Sequence, residues 1–309
     1  MVEDIHRKVR GPLGGVHLLL TYKCIYECDH CFIWGSPKAV GTMSTKQIAE
    51  IIRQASQIGT VKSICFEGGE PFLFYPVMLK GVDLARRRGF KVSIVSNAYW
   101  ATDPQDAERW LRPLVDKGVS DLSVSTDEHH GSGEEARSAR TAVAAARRLH
   151  MPSQLMKVKD IEFYTCQSSS SATAANIMFR GRAAVELAPK VSKKPWRSFD
   201  SCGEEPPRIG RVHVDALGNV QFCQGITVGN LWRKPLKKIM DDLDPERHPV
   251  IGPLIRGGPS SLSKELGIRP RKAYADSCHM CYEIRCAARK RGMLPSVLRP
   301  DQAYGVMPE

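Results

Sequence analysis

The sequence predicts an α/β protein in which a parallel sheet carries helices on its outside, followed by a small cysteine-rich module. Short apolar runs alternate with amphipathic stretches through the first half of the chain, the order typical of repeated strand–helix units. A length of 309 residues leaves room for one large domain and an appendage. From Ser201 onward the chain is rich in glycine, proline and cysteine, which favours a small module stabilised by metal.

The elements of the first half follow one another closely. An apolar run at residues 16–21 is typical of a buried strand. Ser44 and Gln47 form a capping box at the start of a helix, and Asp103 caps a later helix that begins with proline. Strands are expected at 63–66, 91–95 and 121–125, and helices at 76–89, 104–117 and 134–149.

Three regions are expected along the chain. These are an N-terminal extension (1–13), the strand–helix domain (14–188), and a linker with the cysteine-rich module (189–309), the linker itself lying at 190–199. Between the fourth strand and Cys202 there is little space for two further full strand–helix units, so the sheet is expected to be short.

Composition and charge limit the kinds of partner and the cellular location that are expected. The net charge of +12, from 45 Lys and Arg against 33 Asp and Glu, favours an anionic partner. An acidic electron donor such as a flavodoxin or ferredoxin fits, as does a phosphorylated or carboxylate-bearing substrate. Nucleic acid fits the charge, but no nucleic-acid fold signature is present. No apolar run approaches the ~20 residues of a membrane span, and residues 1–10 lack a signal sequence, so a cytoplasmic protein is expected.

Three cysteines follow the first strand at offsets of four and three: Cys24, Cys28 and Cys31. One loop with three thiolates can hold three irons of a cubane cluster and leave the fourth iron open, whereas zinc more often takes four closed ligands. With His30 before the last cysteine, this spacing resembles the radical S-adenosylmethionine (SAM) superfamily. Residues 67–71, with the sequence EGGEP, are a second match to it.

The resemblance implies a partial (β/α) TIM-like barrel of about six parallel strands with chemistry at the carboxyl ends of the strands. It also implies a 4Fe–4S cluster held by the three cysteines, with SAM on the open iron. The cluster reduces SAM to a 5′-deoxyadenosyl radical, which takes a hydrogen atom from the substrate.

The resemblance further implies residues that bind SAM at the strand ends. They are Gly68, Gly69, Glu70 and Pro71 for the methionine amino group, and Ser96, Asn97, Ser125 and Asp127 for the carboxylate and ribose. Arg182, in an Arg-Gly-Arg-Ala segment, is expected near the cofactor, with a surface arginine as the alternative. Asp127 could instead cap the next segment.

Three residues after the fourth strand are candidate catalytic groups facing the substrate: Asp127, His129 and His130. One histidine could orient the substrate or accept its proton. An exposed pair before a glycine turn explains the histidines equally well. Cys65, inside a strand, is expected to be a small core residue.

A second cysteine set resembles the auxiliary-cluster modules of this superfamily, the SPASM module and its shortened form, the twitch. Its members are Cys202, Cys223 at the end of a hairpin, and Cys278 and Cys281 on a helix. One auxiliary 4Fe–4S cluster is expected there, with Cys286 as an alternate ligand and a four-cysteine zinc site as the rival.

These features predict a radical SAM oxidoreductase that oxidises a small-molecule or peptide substrate through the auxiliary cluster. A peptide maturase, acting on ribosomal peptides or sulfatases, is an alternative, although about a dozen residues before the first strand disfavour leader-dependent work. Rivals from other classes are a zinc-stabilised, basic nucleic-acid-binding protein and an electron-transfer protein that never cleaves SAM.

Overall fold

Strands from both halves of the chain join in one sheet. The computed structural model describes residues 11–126, 134–158, 173–175, 177–204, 206 and 208–306. The strands are β1 (Gly15–Thr21), β2 (Ser63–Gly68), β3 (Lys91–Ser96), β4 (Asp121–Ser125), β5 (Ser153–Val158), β6 (Thr173–Ala175), β7 (Lys194–Pro195), β8 (Arg211–Asp215), β9 (Asn219–Cys223), β10 (Ile226–Asn230) and β11 (Ala273–Tyr274). The helices are α1 (Thr45–Ser56), α2 (Tyr75–Arg87), α3 (Pro104–Asp116), α4 (Glu134–Arg148), α5 (Ala183–Glu186), α6 (Leu236–Asp242), α7 (Ile251–Glu265) and α8 (Ser277–Lys290).

The predicted fold class is confirmed. Within the described residues, the strand order of the large sheet is β10-β9-β8-β1-β2-β3-β4-β5-β6. Strands β1 to β6 pair in parallel, each with the next, as expected for a six-stranded partial barrel. The carboxyl ends of these strands therefore share one edge, where the predicted SAM site lies.

Strand alternation divides the side chains between two faces. On β1, Val16, Leu18 and Leu20 are fully buried in the main core, which the helices also enter. His17 and Leu19 occupy the alternate positions and face the inside of the curved sheet. The capping box predicted for α1 is present, with Ser44 accepting from the backbone of Gln47.

The cysteine-rich region continues the same sheet. Strand β8 runs parallel to β1, with Gly15 opposite Arg211 and Leu19 opposite Asp215. The hairpin predicted around Gly218 forms between β8 and β9, and β10 extends it. The thiol loop therefore follows a strand that neighbours β8, and Cys223 lies at the end of the next strand, β9.

Residues 190–199, expected to be a linker, are held in place by the fold. Strand β7 pairs with β11, and the Ser260 hydroxyl donates to the Trp196 carbonyl at 2.8 Å. Pro195 in this segment and Pro189 just before it resemble linker composition, but Pro195 ends an edge strand and precedes a short turn, where a missing N–H is tolerated.

Helix α7 is broken at Gly257 and Gly258. Gly258 has φ +57°, and a Cβ there would lie 2.4 Å from the Ser201 backbone nitrogen, so only glycine fits this crossing. None of the helices in the described ranges has the length and apolar character that a bilayer crossing requires.

Candidate active site

The thiol loop between β1 and α1 carries the three cysteines, and backbone N–H groups donate to two of them. Tyr26 N–H donates to the Cys24 sulfur at 3.4 Å, and Gly35 N–H donates to the Cys31 sulfur at 3.2 Å. Burial first, then the charges of Glu70 and Cys31, raise the pKa of Cys24 to about 11. A metal would have to displace that thiol proton, as coordinating metals do. Three thiols on one loop, two of them with N–H groups directed at sulfur, suit an iron–sulfur cluster, so the donor set fits the predicted group.

The Gly-Gly-Glu loop after β2 lies against the backbone at the start of the thiol loop. A Cβ on Gly68, whose φ is +135°, would lie 2.4 Å from the Thr21 carbonyl oxygen. One on Gly69 would lie 2.1 Å from the Lys23 carbonyl oxygen. Both glycines are therefore required by the close approach of this loop to the end of β1.

Glu70 links the end of β2 to the end of β3 by hydrogen bonds. Its fully buried carboxylate accepts from the Ser96 hydroxyl at 3.0 Å, the Asn97 backbone N–H at 2.7 Å and the Phe72 backbone N–H at 3.0 Å. Asn97 also directs its side-chain amide at the Cys24 sulfur, 3.6 Å away. The structure thus brings three of the predicted SAM-site residues into one network with the first cysteine.

The fourth strand end is described only in part. The Ser125 hydroxyl donates to the Ser96 carbonyl at 3.4 Å, which places Ser125 beside the same network. The candidate residues Asp127, His129 and His130 lie outside the described residues.

Arg182 packs against the thiol loop. Its buried guanidinium donates to the Cys28 carbonyl at 2.8 Å and to the Gly35 carbonyl at 2.9 Å, and its backbone N–H donates to the Cys31 carbonyl at 2.8 Å. Gly181 has φ +61°, and a Cβ there would lie 2.6 Å from that same Cys31 oxygen. The segment therefore holds the loop by its backbone, a contact that the surface-arginine alternative does not explain.

Four cysteines of the second set line one cavity: Cys202, Cys223, Cys278 and Cys281. They come from the chain before β8, the end of β9 and the first two turns of α8. Burial first, then Cys281, raise the pKa of Cys202 to about 12. Cys286 is not among the residues lining this cavity, and it lies near Tyr282 on α8.

Two buried arginines border the four thiols. Arg180 donates to the Cys223 sulfur and to Glu204, each at 2.9 Å. Arg285, 1% exposed, also lines the cavity and donates to the Gln224 carbonyl at 3.0 Å. Positive groups beside four thiolates offset the negative charge of a tetrathiolate cluster, so this donor set fits a cluster as well.

Sequence reasoning missed a polar group on the inner face of the sheet. His213 Nδ1 lies 2.7 Å from Glu67, and the ring of His17 lies 5.0 Å from that of His213. Burial would raise the pKa of Glu67, but the charge of His213 and the proximity of His17 outweigh it and hold the pKa well below its usual range. Polar residues at alternate positions of apolar strands were the available signal.

Comparisons with known proteins agree with the site. Residues 18–144 match the family model of the radical SAM superfamily. The chain is 24% identical over 199 residues to the "Putative peptide biosynthesis protein YydG" of Bacillus subtilis, covering 64% of this chain and 59% of that protein. It is 32% identical over 125 residues to the "Probable GTP 3′,8-cyclase" of Methanothermobacter marburgensis, covering 40% of this chain and 38% of that protein. The matches thus span less than two thirds of either relative.

A solved structure shares the fold. The crystal structure of BtrN in complex with AdoMet and 2-DOIA matches with a TM-score of 0.51 and 17% identity. The match covers 75% of this chain and 84% of that one. At this identity the likeness concerns the fold alone.

Proposed function

Because residues 18–144 match the family model of the radical SAM superfamily, we propose that this chain is a SAM-dependent oxidoreductase with one auxiliary 4Fe–4S cluster. Cys24, Cys28 and Cys31 would hold a cluster that would supply the electron for reductive cleavage of SAM. Cys202, Cys223, Cys278 and Cys281 would hold a second cluster that would supply an electron acceptor for oxidation of the substrate.

The observation that carries this proposal is the short connection between the two cysteine sets. Arg182 donates to two carbonyls of the thiol loop, while Arg180, two residues away, donates to the Cys223 sulfur. The same segment therefore contacts both sets. This proximity supports an auxiliary site that exchanges electrons with the chemistry at the first.

The zinc-stabilised rival leaves the match of residues 18–144 to the radical SAM family model unexplained. Three thiols on one loop can hold three irons of a cubane cluster, whereas structural zinc more often takes four closed ligands.

The chain's own residues have assigned roles in this proposal. Gly68 to Pro71, with Ser96, Asn97 and Ser125, surround SAM at the carboxyl ends of β2 to β4. Arg182 orders the loop rather than pairing a SAM carboxylate, because its side chain already donates to two carbonyls. Asp127, His129 and His130 remain candidates for the groups that face the substrate.

The partners follow from charge and from the relatives. A net charge of +12 favours an acidic flavodoxin- or ferredoxin-type reductant in the cytoplasm and an anionic substrate. A peptide substrate is the second candidate, favoured by the match to a putative peptide biosynthesis protein over 64% of this chain.

Anaerobic purification and cysteine variants test the proposal. Two four-iron clusters predict about eight irons per chain and 5′-deoxyadenosine production with SAM and dithionite. Cys28→Ala should abolish SAM cleavage, whereas Cys223→Ala should keep some cleavage and lose product. Cys286→Ala, a thiol outside the cavity, is the matched control and should retain about eight irons. A colourless zinc protein, or equal loss of both activities in the two variants, would count against the proposal.

Deuterium transfer identifies the substrate class. Candidate peptides and anionic small molecules carrying deuterium at an unactivated carbon are incubated with the enzyme and SAM. Deuterium in 5′-deoxyadenosine marks the true substrate, and transfer from peptides alone would select the maturase alternative.

A further inference from the structure

We propose that His17, Cys65 and Glu67 form a binding site for one zinc-type divalent cation on the inner face of the sheet. A ligand atom from each of these side chains lies within 4.8 Å of the other two, the one such trio among the residues that the structure describes. The site is separate from both cysteine sets and is independent of the iron–sulfur chemistry proposed above.

Strand register brings the trio together. His17 on β1 pairs directly with Cys65 on β2, so their side chains are cross-strand neighbours on one face. Glu67 follows on the same face, two residues further along β2. His17 lies four residues before the end of β1, about 13 Å below the edge that carries the thiol loop. Glu67 directly precedes Gly68, so the carboxylate lies next to the loop predicted to bind SAM, whereas His17 lies deeper along β1.

A second layer of side chains orients the carboxylate. Gln224 Nε2 lies 3.4 Å from His213 Nε2, so the ring proton falls on Nδ1, which donates to Glu67 Oε1 at 2.7 Å. The other oxygen, Oε2, remains on the side of His17, 3.4 Å from its Nδ1. Hydrogen bonds that fix one oxygen of a ligating carboxylate are the usual support of metal ligands.

The inner face also leaves one ligand nitrogen unsatisfied. Nδ1 of His17 is shielded from solvent and forms no hydrogen bond of acceptable geometry. Pairing of Glu67 with the two histidines would not need a thiol nearby, yet the Cys65 sulfur lies within 4.8 Å of the ligand atoms of His17 and Glu67. A cation would satisfy the nitrogen and account for the thiol.

The donor set and its surroundings select the metal. One thiolate, one imidazole and one carboxylate suit zinc, whereas magnesium and calcium prefer oxygen ligands alone. Three protein ligands with an open fourth position are typical of zinc sites that bind a water or another small ligand. His17 borders an open cavity of about 460 Å³.

Metal analysis of the iron-loaded holoenzyme tests the site. The protein is incubated with zinc, passed through a desalting column, and its zinc and iron are counted. Wild type should retain about one zinc per chain, and zinc K-edge absorption should show one sulfur at about 2.3 Å with nitrogen and oxygen at about 2.0–2.2 Å. His213→Ala should weaken zinc binding by about 10- to 100-fold, because it releases the carboxylate.

Variants separate this site from the clusters. Glu67→Gln and Cys65→Ala should lose zinc with unchanged iron content, whereas Cys202→Ser should lose iron and keep zinc. Absence of zinc from wild type would overturn the proposal, as would zinc retained by both Glu67→Gln and Cys65→Ala. An all-sulfur zinc spectrum would do the same by placing the metal on the cluster cysteines, and this measurement needs no variant to fold.

Discussion

Replacement of Arg182 by methionine should loosen the thiol loop. The substitution keeps an unbranched apolar chain but removes two hydrogen bonds from a charged donor to the Cys28 and Gly35 carbonyls. Such bonds contribute about 1.5–3 kcal/mol each, so the pair contributes about 3–6 kcal/mol to the closed loop. The open loop should gain about two to four orders of magnitude in population. Local opening of this kind does not require global unfolding.

Hydrogen exchange measures this opening without relying on activity. The Cys24 and Cys31 amides, bonded to the Ser36 and Cys28 carbonyls at 3.0 Å, should exchange at least about 100-fold faster in Arg182→Met. The loaded variant should also release iron faster from its first cluster. Arg197→Met, which removes an exposed arginine above the Trp196 ring, is the matched control and should change neither quantity. If both amides of Arg182→Met kept the wild-type protection from exchange, the proposed role of Arg182 in holding the thiol loop would be refuted.

Three further predictions rest on local geometry. Gly181→Ala should lower the iron content at the thiol loop, because its Cβ would lie 2.6 Å from the Cys31 carbonyl oxygen. Gly267→Ala, with φ +60° and open space around it, should lower the free energy of unfolding by only about 1 kcal/mol in chemical denaturation. Burial lowers the pKa of His248 to about 4, so the unfolded chain binds more protons below pH 6.5. Stability should therefore fall by up to about 3 kcal/mol from pH 6.5 to pH 4, and His248→Gln should remove this dependence in denaturant titrations. Ser44→Ala should cost about 1 kcal/mol by thermal melting, and an unchanged midpoint would contradict the capping role.

Local signals predicted several helix starts and one hairpin turn well. The Ser44 capping box, the Asp103 cap and the hairpin turn at Gly218 each depend on a few adjacent residues, and all three are present. The thiol spacing and the Gly-Gly-Glu loop likewise predicted which segments meet at the strand ends. The pairing of β8 with β1 could not be predicted, because register between distant strands has no local signal.

The role of the inner sheet face was missed for a related reason. His17 and Cys65 are far apart in sequence, and only the register places them side by side. Cys65, expected to be a small core residue, is buried as expected, but its neighbours are polar. Likewise, Pro189 and Pro195 indicated a linker at residues 190–199, while the pairing with β11 depends on a strand about 80 residues later.

Strand β8 has a further consequence for the integrity of the molecule. A truncated chain ending before Arg211 would leave the outer flank of β1 without main-chain partners. Bare flanks of this kind recruit strands from other molecules and seed aggregates. By pairing with β1, β8 therefore protects the parallel sheet from pairing with other chains, whether or not the C-terminal region binds iron.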